Sequence, residues 1–378
     1  MLVANPVRYA MIGGGEGAFI GPVHRIAAAI AGNCELVAGA LSSDPDRARR
    51  SGAAIGLAAD RSYASWRELL DGERGRPDGA EFVAIVTPNH VHAPAAIAAL
   101  EAGFPVLCDK PLTDTLDAAL EIAATADRTG GLVGVTHTYT GYPMVRQARD
   151  LVVSGEFGPI RRVSVAYTQG WLAKAEDGVG KQAEWRTDPA RSGMAGAFGD
   201  IGTHAFNLVE YISGERVTRL SAELRAAVVG RQLDDDGAAL FHLSGGGRGT
   251  LVASQVCTGD ANSLTISIWC EEAGLHWRQE HPNHLRVARR GRPEEIWTPG
   301  VDRTYLAEPA MSVTRLPSGH PEGYLEAFAN IYRDFAEAVR GRVPERPCYA
   351  SLSDGIAGMR FIQAAFNSSA KGGEWVTL

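Results

Sequence analysis

The chain has 378 residues, of which 45% are hydrophobic and 21% are charged, and it carries a formal net charge of -7 at neutral pH. This composition is typical of globular proteins, and the length predicts two domains or one large one. Because nucleic-acid-binding proteins carry a basic surface, the acidic balance argues against that class.

The first 140 residues alternate strand-like apolar runs with helical segments. Predicted strands cover residues 7–13, 35–41, 81–87, 105–109 and 132–137. Predicted helices cover residues 20–31, 45–55, 65–71, 92–102 and 115–128. Strands that are apolar throughout and separated by helices are typical of a parallel sheet covered on both faces. We predict a doubly wound α/β domain of the Rossmann type over residues 1–138.

The rest of the chain has a different pattern. Segments in which apolar and polar residues alternate cover 160–168, 218–229, 237–243, 249–257, 263–270, 274–279 and 284–289. Alternation with a period of two marks strands that have one covered face. Helical segments cover residues 141–154, 321–340 and 351–370. We predict a second domain over residues 139–378, built on an antiparallel sheet with closing helices.

Targeting and cysteine signals are weak throughout the sequence. The N-terminal segment lacks the basic and apolar stretches of a signal peptide, and no run of about 18 apolar residues predicts a transmembrane helix. The five cysteines are scattered without a C-x-x-C pair, which favours reduced thiols over disulfides or a zinc site. We expect a cytoplasmic protein without a bound metal.

A glycine-rich segment follows the first strand and precedes the first helix. The pattern Gly13-x-Gly15-x-x-Ala18 fits a dinucleotide-binding fingerprint. Glycines let the backbone approach a pyrophosphate, and the helix N-terminus offers N–H groups and a partial positive charge. The alternative is a flexible loop without a ligand. The predicted cofactor-binding residues here are Gly13, Gly15, Gly17, Ala18, Phe19 and Ile20.

The end of the second strand usually carries an acid that binds the ribose 2′-hydroxyl. Here the expected position holds Leu41. Ser42 and Ser43 can bind either a ribose or a 2′-phosphate, and Arg47 can reach a phosphate. Asp44 either repels that phosphate or caps the next helix. The sequence predicts NAD or NADP and leaves the preference open.

The segment Thr87-Pro88-Asn89-His90-Val91-His92 follows a buried strand. Ligands of open α/β sheets bind beyond the carboxyl ends of the strands, so we predict that Thr87, Pro88, Asn89 and His92 contact the cofactor. The alternative is that Asn89 only forms a turn and His92 begins a helix.

The sequence Asp109-Lys110-Pro111 leaves the next strand at the same edge. An ammonium group there can polarise a carbonyl or stabilise an alkoxide. The alternative is a strand-end lysine that only extends into solvent. We predict that Lys110 is catalytic and that Asp109 lies on the cofactor side.

The sequence Gly199-Asp200-Ile201-Gly202-Thr203-His204 begins a helical pattern. Four-residue spacing places Asp200 and His204 on one face of a helix. A carboxylate beside an imidazole suits proton transfer, with the histidine as acid/base. The alternative is that Asp200 caps the helix and His204 is a core or surface residue.

Aromatic and polar residues near the domain junction and in the loop before residue 199 suit sugar binding. Aromatic faces stack on sugar C–H groups, and Arg and Tyr donate hydrogen bonds. The candidates are Tyr139, Tyr142, Trp171, Trp185 and Arg186. Core packing is the alternative for each of them. Residues 319–324 (GHPEGY) either cap a helix or close the pocket, and the sequence leaves that choice open.

The glycine loop, TPNHVH, CDKPL and GDIGTH, in this order, resemble the glucose–fructose oxidoreductase/inositol dehydrogenase family (Gfo/Idh/MocA). The resemblance covers nearly the whole chain. It implies an N-terminal Rossmann domain and a C-terminal α/β domain with an open, mostly antiparallel sheet. It also implies a homodimer or homotetramer in which such sheets pack together.

By this resemblance Lys110 contacts substrate and nicotinamide, Asp200 binds substrate and His204 is the acid/base. Asn89 and His92 match the family's cofactor-side loop. Two departures are an extended glycine loop and Asp109 in place of the usual glutamate.

The implied activity is NAD(P)-dependent hydride transfer at a C–OH or C=O carbon of a sugar, sugar derivative or cyclitol. An NAD-dependent glycosidase that works through transient oxidation is the alternative. A non-catalytic sugar or dinucleotide sensor ranks lower, because such relatives tend to lose the lysine or histidine.

Overall fold

The computed structural model describes residues 5–175 and 186–378. The chain divides into two compact units. The first unit contains residues 1–137 and 328–359, and the second contains residues 138–327 and 360–378. The first boundary lies one residue from the predicted one, but the second boundary was not foreseen in the sequence.

The first unit is built on a six-stranded sheet. Its strands are β1 (Val7–Gly13), β2 (Cys34–Ala40), β3 (Phe82–Val86), β4 (Val106–Cys108), β5 (Val133–Val135) and β14 (Ala350–Ser351). The strand order is β14-β5-β4-β3-β1-β2. All neighbours pair in parallel except β14, which runs antiparallel to β5. Every residue of β3 is buried, as expected for a central strand with helices on both faces.

Five helices connect the parallel strands. They are α1 (Ile20–Ala31), α2 (Pro45–Ala54), α3 (Trp66–Arg74), α4 (Asn89–Glu101) and α5 (Leu116–Thr129). Polar side chains cap three of their N-termini, because Asp44, Ser65 and Thr115 each accept a hydrogen bond from a backbone N–H in the first turn. The helix predicted over 92–102 is present as α4 and begins three residues earlier than predicted, at Asn89.

Residues 328–359 complete the hydrophobic core of the first unit. They include most of helix α10 (Tyr324–Val339) and the short strand β14. The rings of Tyr9 and Phe82 stack at 5.3 Å, and Phe335 meets Phe82 edge-on at the same distance. The predicted assignment of residues 328–359 to the second domain is corrected, because these apolar residues lie on the parallel sheet.

The second unit is built on a nine-stranded sheet in the order β13-β12-β11-β10-β6-β9-β8-β7-β15. The strands are β6 (Ile160–Thr168), β7 (Val217–Arg225), β8 (Asp236–Leu243), β9 (Arg248–Ser254), β10 (Ser263–Cys270), β11 (Ala273–Arg278), β12 (Leu285–Arg289), β13 (Glu295–Trp297) and β15 (Val376–Thr377). Only β6 and β9 pair in parallel among these strands. The predicted fold class, a Rossmann domain followed by an α/β domain on a mostly antiparallel sheet, is confirmed.

The second unit also contains helices. They are α6 (Pro143–Val153), α7 (Pro189–Ser192), α8 (Thr203–Ser213), α9 (Glu308–Met311) and the part of α11 (Leu352–Ala370) from residue 360 onward. Helix α8 lies against β6, β9 and β10. The ring of Phe361 stacks on Phe198 and Phe206. No helix in the two described ranges is long and apolar enough to cross a membrane.

Candidate active site

The glycine loop after β1 depends on backbone conformations that favour glycine. Gly13, Gly14 and Gly17 have φ angles of 84°, 75° and 76°, a region that L side chains rarely adopt. A Cβ atom on Gly13 would lie 2.7 Å from the carbonyl oxygen of Val86. The loop therefore passes directly over the end of β3.

The first turn of α1 lies against this loop. A Cβ atom on Gly21 would be 2.1 Å from the carbonyl oxygen of Gly14. The first turn of α1 can therefore approach the glycine loop this closely only because residue 21 is a glycine. The fingerprint based on Gly15 and Ala18 did not identify this pair. Phe19, at the N-cap position, provides no side-chain hydrogen bond and is 61% exposed, which leaves N–H groups of the first turn without a side-chain cap.

The end of β2 has no carboxylate at the expected ribose position. The Leu41 side chain is buried, and its carbonyl oxygen accepts a hydrogen bond from the Gly15 N–H at 3.0 Å. Asp44 caps α2 by accepting from the Arg47 N–H at 2.7 Å, as one of the two alternatives predicted. The Ser42 hydroxyl accepts from the Asp44 N–H, and Ser43 is exposed.

The residues after β3 enter α4 directly. Asn89 is buried, and it is the first residue of the helix. The Thr87 hydroxyl oxygen is buried and has no hydrogen-bond partner within the described part of the chain. Because Thr87 borders Gly13, this hydroxyl is available to a ligand held by the glycine loop. The orphaned hydroxyl and the glycine loop together fit a dinucleotide.

His92 occupies a different place from the predicted one. Its side chain is 1% exposed. The Nε2 atom lies 2.9 Å from the Thr87 carbonyl oxygen, and the Nδ1 atom lies 3.0 Å from the Pro111 carbonyl oxygen. Both ring nitrogens thus face the backbone of the protein, which favours a positioning role over the direct cofactor contact that the motif predicted.

Asp109 and Lys110 leave β4 at the same sheet edge. The Asp109 Oδ1 atom accepts hydrogen bonds from the Lys110 N–H at 2.9 Å and from the Thr136 hydroxyl at 2.7 Å. The peptide bond between Lys110 and Pro111 is cis. Burial, and next the Lys110 ammonium, lower the pKa of His137 to about 4, so His137 is neutral at neutral pH. The Lys110 ammonium therefore lies close enough to the His137 ring to act on its protonation.

In the second unit, the predicted helical segment begins with a π-helical turn over Phe198–Gly202 and continues as α8. Such turns are frequent at functional sites. Asp234 caps this start, because its carboxylate accepts from the Gly196 N–H at 2.7 Å and from the Phe198 N–H at 2.8 Å. The alternative in which Asp200 is the N-cap is therefore wrong.

Asp200 is held from two sides. Its Oδ2 atom accepts hydrogen bonds from Arg186 Nε at 3.2 Å and from Gln255 Nε2 at 3.0 Å. Arg186 was predicted to bind substrate, and the structure places its guanidinium on the carboxylate. Gln255 was not identified in the sequence, because it lies inside the predicted segment 249–257, whereas the observed strand β9 ends one residue before it.

His204 lies among tyrosine rings of the second unit. It is 8% exposed, with the Tyr139 ring edge-on at 4.9 Å and the Tyr167 ring at 6.2 Å. The Tyr167 hydroxyl donates to Asn262 Oδ1 at 2.7 Å, so the Tyr139 hydroxyl donates to Tyr167 in the 2.5 Å hydrogen bond between them. Burial raises the pKa of both phenols. Tyr167 and Asn262 were missed in the sequence.

The other predicted aromatic residues differ in their environments. Tyr142 is buried between Tyr139, at 6.3 Å, and Trp277, at 5.4 Å, which matches core packing. Trp171 is partly exposed, and its Nε1 donates to Gln169 Oε1 at 2.9 Å. Trp185 lies outside the described residues.

The GHPEGY segment organises the start of α10. The Gly323 N–H donates to Glu326 Oε2 at 2.9 Å. Glu322 is buried, and its Oε1 accepts from the Arg315 N–H at 2.6 Å. These contacts support the helix-capping alternative. The Tyr324 ring also lies 6.4 Å from the Tyr139 ring, so the alternative in which the segment closes the pocket stays a prediction.

Two family models match the chain. The NAD-binding Rossmann-fold model of an oxidoreductase family matches residues 7–137, and the GFO/IDH/MocA C-terminal domain model matches residues 145–276. Together with the glycine loop and the edge lysine, these matches define an NAD(P)-binding oxidoreductase. The chain belongs to the Gfo/Idh/MocA family, as its four motifs predicted.

Named relatives agree with this assignment. The chain is 34% identical to the uncharacterised oxidoreductase YfiI of Bacillus subtilis, over 99% of this chain and 98% of the relative. Levoglucosan dehydrogenase of Pseudarthrobacter phenanthrenivorans is 27% identical over 74% of this chain and 75% of that relative. An inositol dehydrogenase homologue from Azotobacter vinelandii, solved with NAD+, has a TM-score of 0.94 at 35% identity and covers 100% of this chain and 98% of its own. The predicted family, enzyme class and cofactor class are confirmed.

The packing of Gly21 on Gly14 predicts the outcome of a single substitution. Gly21→Ala should raise the Kd for NADH by about tenfold or more, because the new methyl group displaces the glycine loop. Titration by protein fluorescence measures this. Gly358→Ala is the matched control, since its Cβ would meet nothing within 4 Å. Equal affinities in the two variants would contradict the prediction.

The cap of the Asp200–His204 helix predicts a pH effect on stability. Burial raises the pKa of Asp234 to about 6, above its unfolded value of about 3.9. The folded protein then binds a proton that the unfolded chain has lost, so this group's contribution to stability falls as pH rises from about 4 to 6. Asp234→Asn should remove that fall. Denaturant unfolding across this range tests it, and parallel pH profiles for both proteins would refute it.

Proposed function

We propose that this protein is an NAD(P)-dependent dehydrogenase that acts on a C–OH carbon of a sugar, a sugar derivative or a cyclitol. The observation that carries the proposal is the carboxylate–imidazole pair of Asp200 and His204 on one helical segment. The names of the relatives, a levoglucosan dehydrogenase and an inositol dehydrogenase homologue, support a polyhydroxylated substrate.

Each side chain has a distinct role in the proposed chemistry. His204 removes the proton of the reacting hydroxyl, a step that suits a histidine because its imidazole can accept and return a proton near neutral pH. Lys110 stabilises the developing oxyanion with its positive charge. Asp200, held by Arg186 and Gln255, accepts a hydrogen bond from a neighbouring substrate hydroxyl. A nicotinamide cofactor held by the first unit would supply the hydride acceptor or donor.

The cofactor is held by residues of the first unit. The glycine loop and the first turn of α1 suit the pyrophosphate, and the Thr87 hydroxyl and Asn89 lie at the adjacent strand end. Leu41 leaves the ribose position without the carboxylate that usually disfavours a 2′-phosphate. Ser42 and Ser43 can bond to either form of the ribose, so both NAD and NADP belong in the assay.

The central test is Lys110→Met and His204→Ala. Both variants should lose turnover by about 100-fold or more, while their affinity for NADH stays near the wild-type value. Initial rates come from a panel of sugars and cyclitols with NAD and NADP separately. Lys371→Met and His284→Ala, at exposed positions, are the matched controls.

Two outcomes would reject this assignment. Wild-type rates in both catalytic variants would remove their proposed roles. Substrate cleavage without stoichiometric release of NADH or NADPH would instead identify a glycosidase that works through transient oxidation.

We also propose that the protein forms a homo-oligomer through the open face of the nine-stranded sheet. Strand register places Leu240 and Ile296 in one row across that face. Their side chains are 49% and 55% exposed, and Trp269 on the same face is 47% exposed. Exposed apolar groups on a broad sheet are typical of a symmetric interface between copies.

Charge on that face should disrupt the assembly. The double variant Leu240→Lys, Trp269→Lys is expected to sediment as a monomer, whereas the wild-type chain sediments as a dimer or tetramer. Val343→Lys, at a 62% exposed position of the first unit, should leave the sedimentation unchanged. A monomeric wild-type protein would contradict the proposal.

A further inference from the structure

The imidazole of His92 lies between two loops of the first unit. Its Nε2 atom is 2.9 Å from the Thr87 carbonyl oxygen, and its Nδ1 atom is 3.0 Å from the Pro111 carbonyl oxygen. The side chain is almost wholly buried, so bulk water does not compete with the ring for these two carbonyl oxygens. One ring thus touches the loop after β3 and the loop after β4 together.

The two carbonyl groups belong to functionally important segments. Thr87 borders Gly13 of the glycine loop and carries the orphaned hydroxyl. Pro111 directly follows Lys110. A neutral imidazole donates from one nitrogen and a protonated ring donates from both. At least one loop is therefore hydrogen-bonded to the ring in either state, and the ring fills the space between them.

Lys110 has an anchor on each side. On the upstream side, the Asp109 N–H donates to the Ile85 carbonyl oxygen at 2.9 Å, and the Asp109 carboxylate accepts from Thr136. On the downstream side, the Pro111 carbonyl oxygen lies 3.0 Å from His92 Nδ1. Removing the imidazole would take away this contact at the residue that directly follows the lysine.

We propose that His92 is a positioning residue that sets the placement of Lys110 relative to the Thr87–Asn89 segment. The inference rests on the proposed function, in which Lys110 stabilises the oxyanion. Misplacement of a reacting group by about 1 Å can cost about 100-fold in rate. Loss of the bridge should therefore reduce kcat more than it changes the KM for substrate.

The experiment compares His92→Phe, His92→Gln and the control His90→Phe in the full chain. His90 is exposed on the same helix. We expect His92→Phe to lower kcat by about 10-fold to 100-fold with a KM change below about threefold. His92→Gln keeps an N–H donor and should recover part of kcat. His90→Phe should keep the wild-type kcat.

Amide hydrogen exchange provides a readout without turnover. In His92→Phe, the backbone amides of Asp109, Lys110 and Val91 should exchange faster than in the wild-type chain, and in His90→Phe they should not. Wild-type kcat and wild-type exchange in His92→Phe would overturn the proposal. If His92→Phe does not fold, His92→Gln decides. It should show a kcat below the wild-type value and faster exchange of the same amides, and wild-type values of both would overturn the proposal.

Failure of the proposed function is distinguishable from failure of this inference. A wild-type chain that turns over no sugar or cyclitol with NAD or NADP rejects the function. The exchange comparison still decides whether His92 holds the two loops. Equal losses of kcat in His92→Phe and His90→Phe would also overturn the inference, since they would indicate a general effect of the helix.

Discussion

The parallel pairing of β1 with β3 and of β3 with β4 is the constraint on which the nucleotide-binding edge of the first unit depends. Gly13 stands beside Val86, and Ile85 stands beside Cys108. The segments that follow these strands therefore leave the sheet at one edge. Crossover helices carry the chain back to the opposite edge each time, so that every one of these strands runs in the same direction. A glycine loop and a lysine that are far apart in sequence thus lie along the same side of one sheet.

In the second unit, the two carboxylates Asp234 and Asp200 have separate tasks. Asp234 is buried and satisfies the backbone N–H groups at the start of the π-helical turn, a task that an acid performs well at a helix N-terminus. Asp200, inside that turn, is consequently spared from capping and pairs with Arg186 and Gln255. The cost of burying Asp234 is visible in its raised pKa of about 6, and the chemistry-bearing carboxylate lies on a firmly held helix.

Burial also decides which groups near the sites carry charge. It lowers the pKa of His24 and His137 to about 4, so both imidazoles are neutral beside the Asp109–Lys110 segment. Burial raises the pKa of Tyr139 and Tyr167, so both phenols keep their protons and hydrogen-bond in a fixed direction. Neutral surroundings of low polarity strengthen the field of the remaining charged groups.

The amino-acid sequence by itself determined the fold class, the glycine loop, the edge lysine and the four-residue spacing of Asp200 and His204. These features depend on local periodicity and on motifs within a few residues, which a single chain displays directly. Only the tertiary structure decided that residues 328–359 complete the first unit, that His92 faces two backbone carbonyls and that Asp234 caps the helix. Those contacts join segments that are far apart along the chain. The local periodicity of a sequence does not indicate which polar atoms from distant segments become buried next to each other.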